Sequence, residues 1–296
     1  ERTEAWFAFA IVESATEIDA SPQRVAVTYA SGDAETSRAE YWGEALAAIT
    51  ARGLPAPAGV YWPFGVRLVS RQPAAANIDR MRVSIEFSGG LAPLEASVPV
   101  QIYAQSTALI FPFRGNGFVT QGGAANGGHR NGSGQFAIDA MALSENYAPQ
   151  RTAAFAANTD VIGYGRDLVA PGAGVVIAAR GDRPDQPVPG ESNENFHVPE
   201  FRGSGDPGNH LVIDHGNGEF SLVAHLMAGS LAVREGQRVT QGQLIGRLGN
   251  SGDSFAPHVH HQLQDGPSWQ SASGLPCRYS NITNQRLDRG EFFTAS

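Results

Sequence analysis

Histidine is scarce in this chain, eight residues in 296, yet three of the eight fall within the stretch APHVHHQLQD, residues 256–265. Imidazole binds transition metals and exchanges protons near neutral pH, so the crowding points to chemistry. HVHHQL alternates like a β-strand, and a strand sends successive side chains to opposite faces. His258, His260 and Gln262 then share one face, and Val259, His261 and Leu263 share the other. A His-x-His pair on one face can approach a common point, while His261 points away from it.

A second set of candidates lies in GGHRNGSGQFAIDA. His129 sits in a glycine-rich loop. QFAID reads as a strand, with Phe136 and Ile138 on one face and Ala137 and Asp139 on the other. Taken singly, His129 is a solvated loop residue and Asp139 a strand-end turn residue. With the His-x-His pair they supply His, Asp and His. Zinc takes such nitrogen and oxygen ligands, and a catalytic zinc keeps three protein ligands with its fourth position left to water. One aspartate would leave such a centre with net positive charge, and therefore electrophilic. His225 closes the strand EFSLVAHL, where alternation puts Ser221, Val223 and His225 on one face, opposite Phe220, Leu222 and Ala224. It joins the same chemistry if its hairpin packs beside the His-x-His strand. No His-Glu-x-x-His helix occurs, so no glutamate is placed as base. His210 reads as a strand-edge residue, His215 as a turn residue, and His197 as solvated or groove-lining in a long insert.

These residues need a β framework to hold them. AWFAFAIV, RVAVTYA, RMRVSIEF and ASVPVQIYA alternate with period two and are separated by turn residues. Between them, Ala39, Trp42, Leu46 and Ile49 follow helical spacing, which predicts a helix over 36–52 ended by Gly53 and Pro55. The expected fold is mainly β. A β-rich, sandwich-like accessory domain spans 1–108, and a second domain, again mostly strands, spans 109–296. HLVIDHGNGEFSLVAHL is a hairpin turning at Asn217-Gly218. Two inserts, about 142–160 and 182–208, interrupt the strands, and the second is too polar and too rich in proline and glycine for a core element.

Composition removes several function classes. The net charge is −8 with no basic block, which argues against a nucleic-acid partner. All 21 cations are arginine, so any mechanism that needs a lysine is excluded, including Schiff bases, a phosphate-loop lysine and a biotinyl or lipoyl carrier. A single cysteine, Cys277, allows no intrachain disulfide and reads as a buried small residue rather than a nucleophile. No apolar run is long enough for an integral membrane helix. The chain does not begin with Met, and a leader is expected to have been removed.

From about Phe111 to Tyr279 the chain resembles the lysostaphin-like, LytM-type zinc metallopeptidases of the M23 family. The resemblance rests on HRNGSGQFAID, DLVAPGAGVVIAA, GNHLVIDHGNGEFSLVAHL, VREGQRVTQGQLIGRLGNSG and APHVHHQL, in that order. It implies a compact antiparallel β fold with one zinc in a groove walled by loops. It further implies His129, Asp139 and His260 as zinc ligands, with His225 and His258 as the catalytic histidines that do not bind metal. The implied activity is endopeptidase cleavage of bacterial peptidoglycan peptides, in an extracytoplasmic (periplasmic or secreted) location. Residues 1–108 fall outside the resemblance, and three roles are equally open to them: positioning the enzyme on the wall, covering the groove until activation, or binding a partner such as a protein regulator. There are departures. Nine residues separate His129 from Asp139, where many members use a shorter spacing. His261 replaces the aromatic residue that often follows the pair, and Gln262 the usual acid.

Two other readings compete. One is a catalytically silent relative that binds cell wall or activates another hydrolase. Such relatives typically lack some ligands, and here the set is intact. The other takes the short strands of 231–252 as a carrier or sugar-phosphotransferase hammerhead. The absence of lysine excludes the carrier, and the phosphotransferase leaves His129 and Asp139 unexplained.

Overall fold

The computed structural model describes residues 2–10, 21–49, 65–73, 77–100, 103–122, 129, 133–151, 153, 155–190, 205–282 and 287–296. The chain divides into two compact units, 1–103 and 104–296. Residues 104–108 therefore group with the second unit. Ser106 and Thr107 donate their backbone N–H groups to the Glu219 carboxylate there, each at 2.7 Å.

The first unit contains β1 (Arg2–Ala10), β2 (Pro22–Ser31), β3 (Ala34–Trp42), α1 (Gly43–Ile49), β4 (Gly65–Pro73), β5 (Arg80–Phe87) and β6 (Leu94–Pro99). One sheet runs β3-β2-β5-β6, and β1 pairs with β4. Val25, Val27, Tyr29, Met81, Val83, Ile85 and Phe87 form its core, with Leu46 and Ile78. The helix expected over 36–52 is corrected to a strand followed by a short helix. Residues 34–42 pair in register with β2 across a tight turn at Gly32. Gly43, the first residue of α1, has φ 55° and breaks the chain away from the strand. Of the residues at helical spacing, Leu46 is buried and Trp42 is 61% exposed. Strand pairing outweighed a weak local preference.

The second unit contains β7 (Gly115–Gln121), β8 (Ile138–Ala142), β9 (Asp167–Val169), β10 (Gly174–Arg180), β11 (Asn209–Asp214), β12 (Phe220–Leu226), β13 (Arg238–Val239), β14 (Leu244–Arg247), β15 (Val259–Gln264), β16 (Gly274–Leu275) and β17 (Phe292–Ala295). Its main sheet runs β13-β10-β11-β12-β15-β8-β7-β17, with β16 also on β15, and β14 pairs with β9. β11 and β12 form the expected hairpin. Phe111 packs edge-on against Phe113, Tyr279 and Phe293, with centroids 4.7–5.1 Å apart.

The described ends of the 182–208 insert run against expectation. Arg183, Gln186 and Asp206 are buried. Polar groups tolerate burial when they are paired. Arg183 reaches Asp206 at 3.1 Å, and Gln186 Nε2 donates to Gly252 O at 2.6 Å. His197 lies outside the described residues.

Phe111 is fully buried in its aromatic cluster. Phe111→Ala is expected to lower unfolding stability by about 3–5 kcal/mol through lost burial and a residual cavity, read as a lower urea midpoint.

Candidate metal centre

Three neighbouring strands bring the candidate ligands together. In the β8–β15 ladder Asp139 lies directly opposite His260. On the other side of Asp139 its register partner on β7 is Gln121, and on the other side of His260 it is Ala224 of β12. Side chains at paired positions project to the same face. His260 Nδ1 therefore comes within 2.8 Å of Asp139 Oδ1. His129 places Nε2 3.2 Å from Asp139 Oδ2. The rings of His129 and His260 meet edge-on at 4.7 Å.

One donor atom from each of His129, Asp139 and His260 lies within 4.8 Å of the others. Zinc bonds to nitrogen and oxygen of about 2.0–2.2 Å put tetrahedral donors roughly 3.4 Å apart, so this set fits zinc in both chemistry and spread. Gln121 Nε2 donates to Asp139 Oδ2 at 3.2 Å, and Thr120 Oγ1 donates to the Asp139 carbonyl at 3.2 Å. Neither residue stood out in the sequence, because nothing local marks a cross-strand partner.

Burial by itself raises the Asp139 pKa, but the charges and hydrogen bonds of His129 and His258 outweigh it and hold the carboxyl well below its usual range. It is therefore ionised and able to bind a cation.

His225 and His258 stand beside this group, their ring centroids 4.7 Å apart, with His225 5.9 Å from His260. His258 Nε2 lies 3.6 Å from Asp139 Oδ2. Strict alternation would have sent His225 to the opposite face, with Ser221. It does not, because His225 adopts φ 62°. For a non-glycine residue this left-handed conformation costs about 1–2 kcal/mol and must be imposed by its surroundings.

The surroundings are bonded closely. His225 N–H donates to Pro207 O at 3.0 Å, and its carbonyl accepts from Gly249 N–H at 3.1 Å. The next carbonyl, of Leu226, accepts from both Asn209 Nδ2 and Ser251 Oγ, at 3.0 and 2.8 Å. Asn209 N–H donates back to Ser251 Oγ at 2.9 Å. The loops touch so closely that a Cβ on Gly208 would sit 2.4 Å from the Ser251 backbone.

Backbone carbonyls of the 249–256 segment set the tautomer of both rings. His225 Nδ1 lies 2.8 Å from Ser251 O, and His258 Nδ1 lies 2.8 Å from Ala256 O and 3.1 Å from Ser254 Oγ. A carbonyl only accepts, so each Nδ1 carries the hydrogen and each neutral ring keeps a bare Nε2. Burial, with His258 and His260 nearby, pushes the His225 pKa well below its ordinary value. Burial also opposes the charge on His258, but Asp139, the Ala256 carbonyl and Asp253 together raise its pKa.

The remaining histidines lie elsewhere. His261 turns to the other face, bonded to Tyr279 Oη and Ser221 Oγ. His215 Nε2 reaches the same serine at 2.8 Å, and His210 Nδ1 lies 2.8 Å from Gly208 O. Cys277 donates to Tyr279 Oη, and burial pushes its thiol pKa up to about 11, which leaves it unreactive.

Two outcomes are expected. Asn209→Ala removes a buried clamp and should lower stability by about 1–3 kcal/mol in urea unfolding while leaving metal affinity unchanged. Burial depresses the His261 pKa to about 3 from 6.5. The unfolded chain then binds a proton that the folded chain refuses, so stability present above pH 6.5 declines as the pH falls toward 3. Unfolding midpoints measured across that window should fall less steeply in His261→Gln.

Comparison with known proteins finds similarity to one peptidase family over part of the chain. The Peptidase family M23 model matches residues 157–271. That span contains His225, His258 and His260 and leaves His129 and Asp139 outside it. Two curated relatives come from Vibrio cholerae serotype O1. Peptidoglycan DD-endopeptidase ShyA is 43% identical over 56 residues, 19% of this chain and 13% of that protein. Peptidoglycan DD-endopeptidase ShyC is 32% identical over 126 residues, 43% of this chain and 25% of that protein. The chain thus matches a quarter or less of the length of these relatives. Among solved structures, the catalytic domain of the prophage-encoded M23 protein EnpA from Enterococcus faecalis aligns over 60% of this chain and 99% of that one, at 19% identity and a TM-score of 0.36.

Proposed function

We propose, from the Peptidase family M23 domain that the chain carries at residues 157–271, that this protein is a zinc-dependent endopeptidase cutting peptide bonds of bacterial peptidoglycan outside the cytoplasm. The observation that carries this reading is the convergence of five side chains on one sheet face. His129, Asp139 and His260 offer three donor atoms within 4.8 Å of one another, and the His225 and His258 rings stand beside them. The two relatives named as peptidoglycan DD-endopeptidases support the substrate class.

In this reading His129, Asp139 and His260 hold the zinc, with Gln121 steadying the aspartate. A zinc ion there acidifies water and polarises a peptide carbonyl. The chain's own contribution is proton handling. Each of His225 and His258 is anchored through Nδ1 and keeps Nε2 bare. Between them they accept the proton of the attacking water and return one to the departing amine nitrogen. Whichever of the two rings has taken up the proton carries it on Nε2, positioned to donate to the developing oxyanion or to the amine. The buried site around them limits the reorganisation that bulk water would otherwise undergo.

Substitutions separate the two roles. His260→Ala should abolish both zinc retention and wall hydrolysis. His225→Ala should keep zinc and lower turnover by about 10²–10⁴-fold, the usual worth of a positioned proton carrier. Digestion of purified peptidoglycans of different cross-link chemistry, with the fragments weighed by mass spectrometry, tests the activity and identifies the bond. Normal hydrolysis by the His260→Ala protein would overturn the assignment.

A further inference from the structure

We propose that Gln262 and Gln264 are positioning residues that decide which ring nitrogen of His260 is presented to a cation. This rests on the zinc reading above. His260, Gln262 and Gln264 occupy alternate positions of β15 and form a ladder along one face. Gln264 Nε2 lies 2.6 Å from Gly266 O, Gln262 Nε2 lies 2.6 Å from Gln264 Oε1, and Gln262 Oε1 lies 2.9 Å from His260 Nε2. Gln262 and Gln264 are buried. Their register partners on β12 are Leu222 and Phe220, which have no polar side-chain group to offer.

The direction of this ladder is set from its far end. The Gly266 carbonyl can only accept, so Gln264 must turn its amide nitrogen toward it. Gln264 Oε1 then faces Gln262 and accepts from that amide. Gln262 in turn presents its oxygen to His260. An oxygen 2.9 Å from Nε2 requires the imidazole hydrogen to sit on Nε2. The neutral ring is left with a bare lone pair at Nδ1, and that lone pair lies 2.8 Å from Asp139 Oδ1.

An ionised carboxylate and a bare ring nitrogen are both acceptors. At hydrogen-bond distance with no hydrogen between them, they repel, and a cation bonded to both removes the repulsion. The opposite tautomer would place N–H on Nδ1 and close the pair as an ordinary hydrogen bond, which a metal would have to break. Gln262 does this with a neutral acceptor and adds no charge to the site. The orientation of a ligand thus depends on a backbone carbonyl three hydrogen bonds away, which is how outer partners tune metal affinity.

The test uses the full chain. Zinc affinity is measured by competition with a chromophoric chelator for wild type, Gln262→Met, Gln262→Glu and Gln264→Met, each first checked for folding by its thermal melt. Gln262→Met should weaken zinc binding by about 10–100-fold, and Gln264→Met by a smaller factor. Gln262→Glu restores an acceptor and should return wild-type or tighter affinity. Should Gln262→Met fail to fold, imidazole ¹⁵N NMR of the zinc-free wild type carries the test, recorded at alkaline pH where the ring holds a single proton, with His260 expected in the Nε2–H form. Affinities of Gln262→Met and Gln264→Met within about twofold of wild type, or an Nδ1–H tautomer, would overturn the proposal. A wild type that binds no zinc would instead overturn the peptidase reading, while the NMR spectrum would still report on the ladder.

Discussion

The site depends on one pairing, that of Asp139 with His260 across the β8–β15 ladder. Strand register is a constraint without intermediate settings. A slip of one residue would send His260 to the far face and bring His261 to the near one. The register is held from both sides, since β12 flanks β15 and β7 flanks β8. Buried polar groups on the far face add to this. His261 bonds Tyr279 and Ser221, and Ser221 also bonds His215. A slipped strand would leave all of these groups unsatisfied in the interior, at the full desolvation cost of each. The polar content of both faces of β15 therefore enforces a single arrangement.

A second constraint acts at the end of β12. His225 reaches the site by leaving the strand conformation, and the cost of its left-handed backbone is offset by bonds to Pro207, Gly249 and Ser251. The 249–254 loop thus supports two functions at once. It holds His225 through Ser251 and anchors His258 through Ser254. Behind it, Ser254 donates to Asn250 and Asn250 to Asn158, each within 2.9 Å, so the loop is buttressed by residues far away in sequence. Strain at one histidine and rigidity at its neighbour have the same source.

Much of this was legible in the chain. The separation of His258 and His260 from His261 follows from the two-residue period of a strand, a local rule that tertiary context did not override. The β11–β12 hairpin was readable from alternation and its Asn-Gly turn. The helix over 36–52 was not, because its apolar spacing was compatible with a helix while strand pairing with β2 was invisible locally. His225 was identified as a residue of interest, but its face was misread, since a positive φ at a non-glycine residue has no signature in composition or period. Gln121, Asn209 and Ser251 passed unremarked. Each acts on a residue 17 or more positions away, so no window of sequence contains both partners.

By itself, the sequence determined the inventory and its local geometry. It specified which histidines could share a face, that no lysine chemistry was open, and that the chain would be built from strands. The tertiary structure decided convergence. It chose the register that sets Asp139 against His260, bent the chain at His225, and directed a run of glutamine amides from the Gly266 carbonyl to a ring nitrogen. The physical reason is range. Side-chain alternation is a property of neighbouring dihedral angles, whereas the direction of a buried hydrogen bond depends on groups that meet only after the chain has folded.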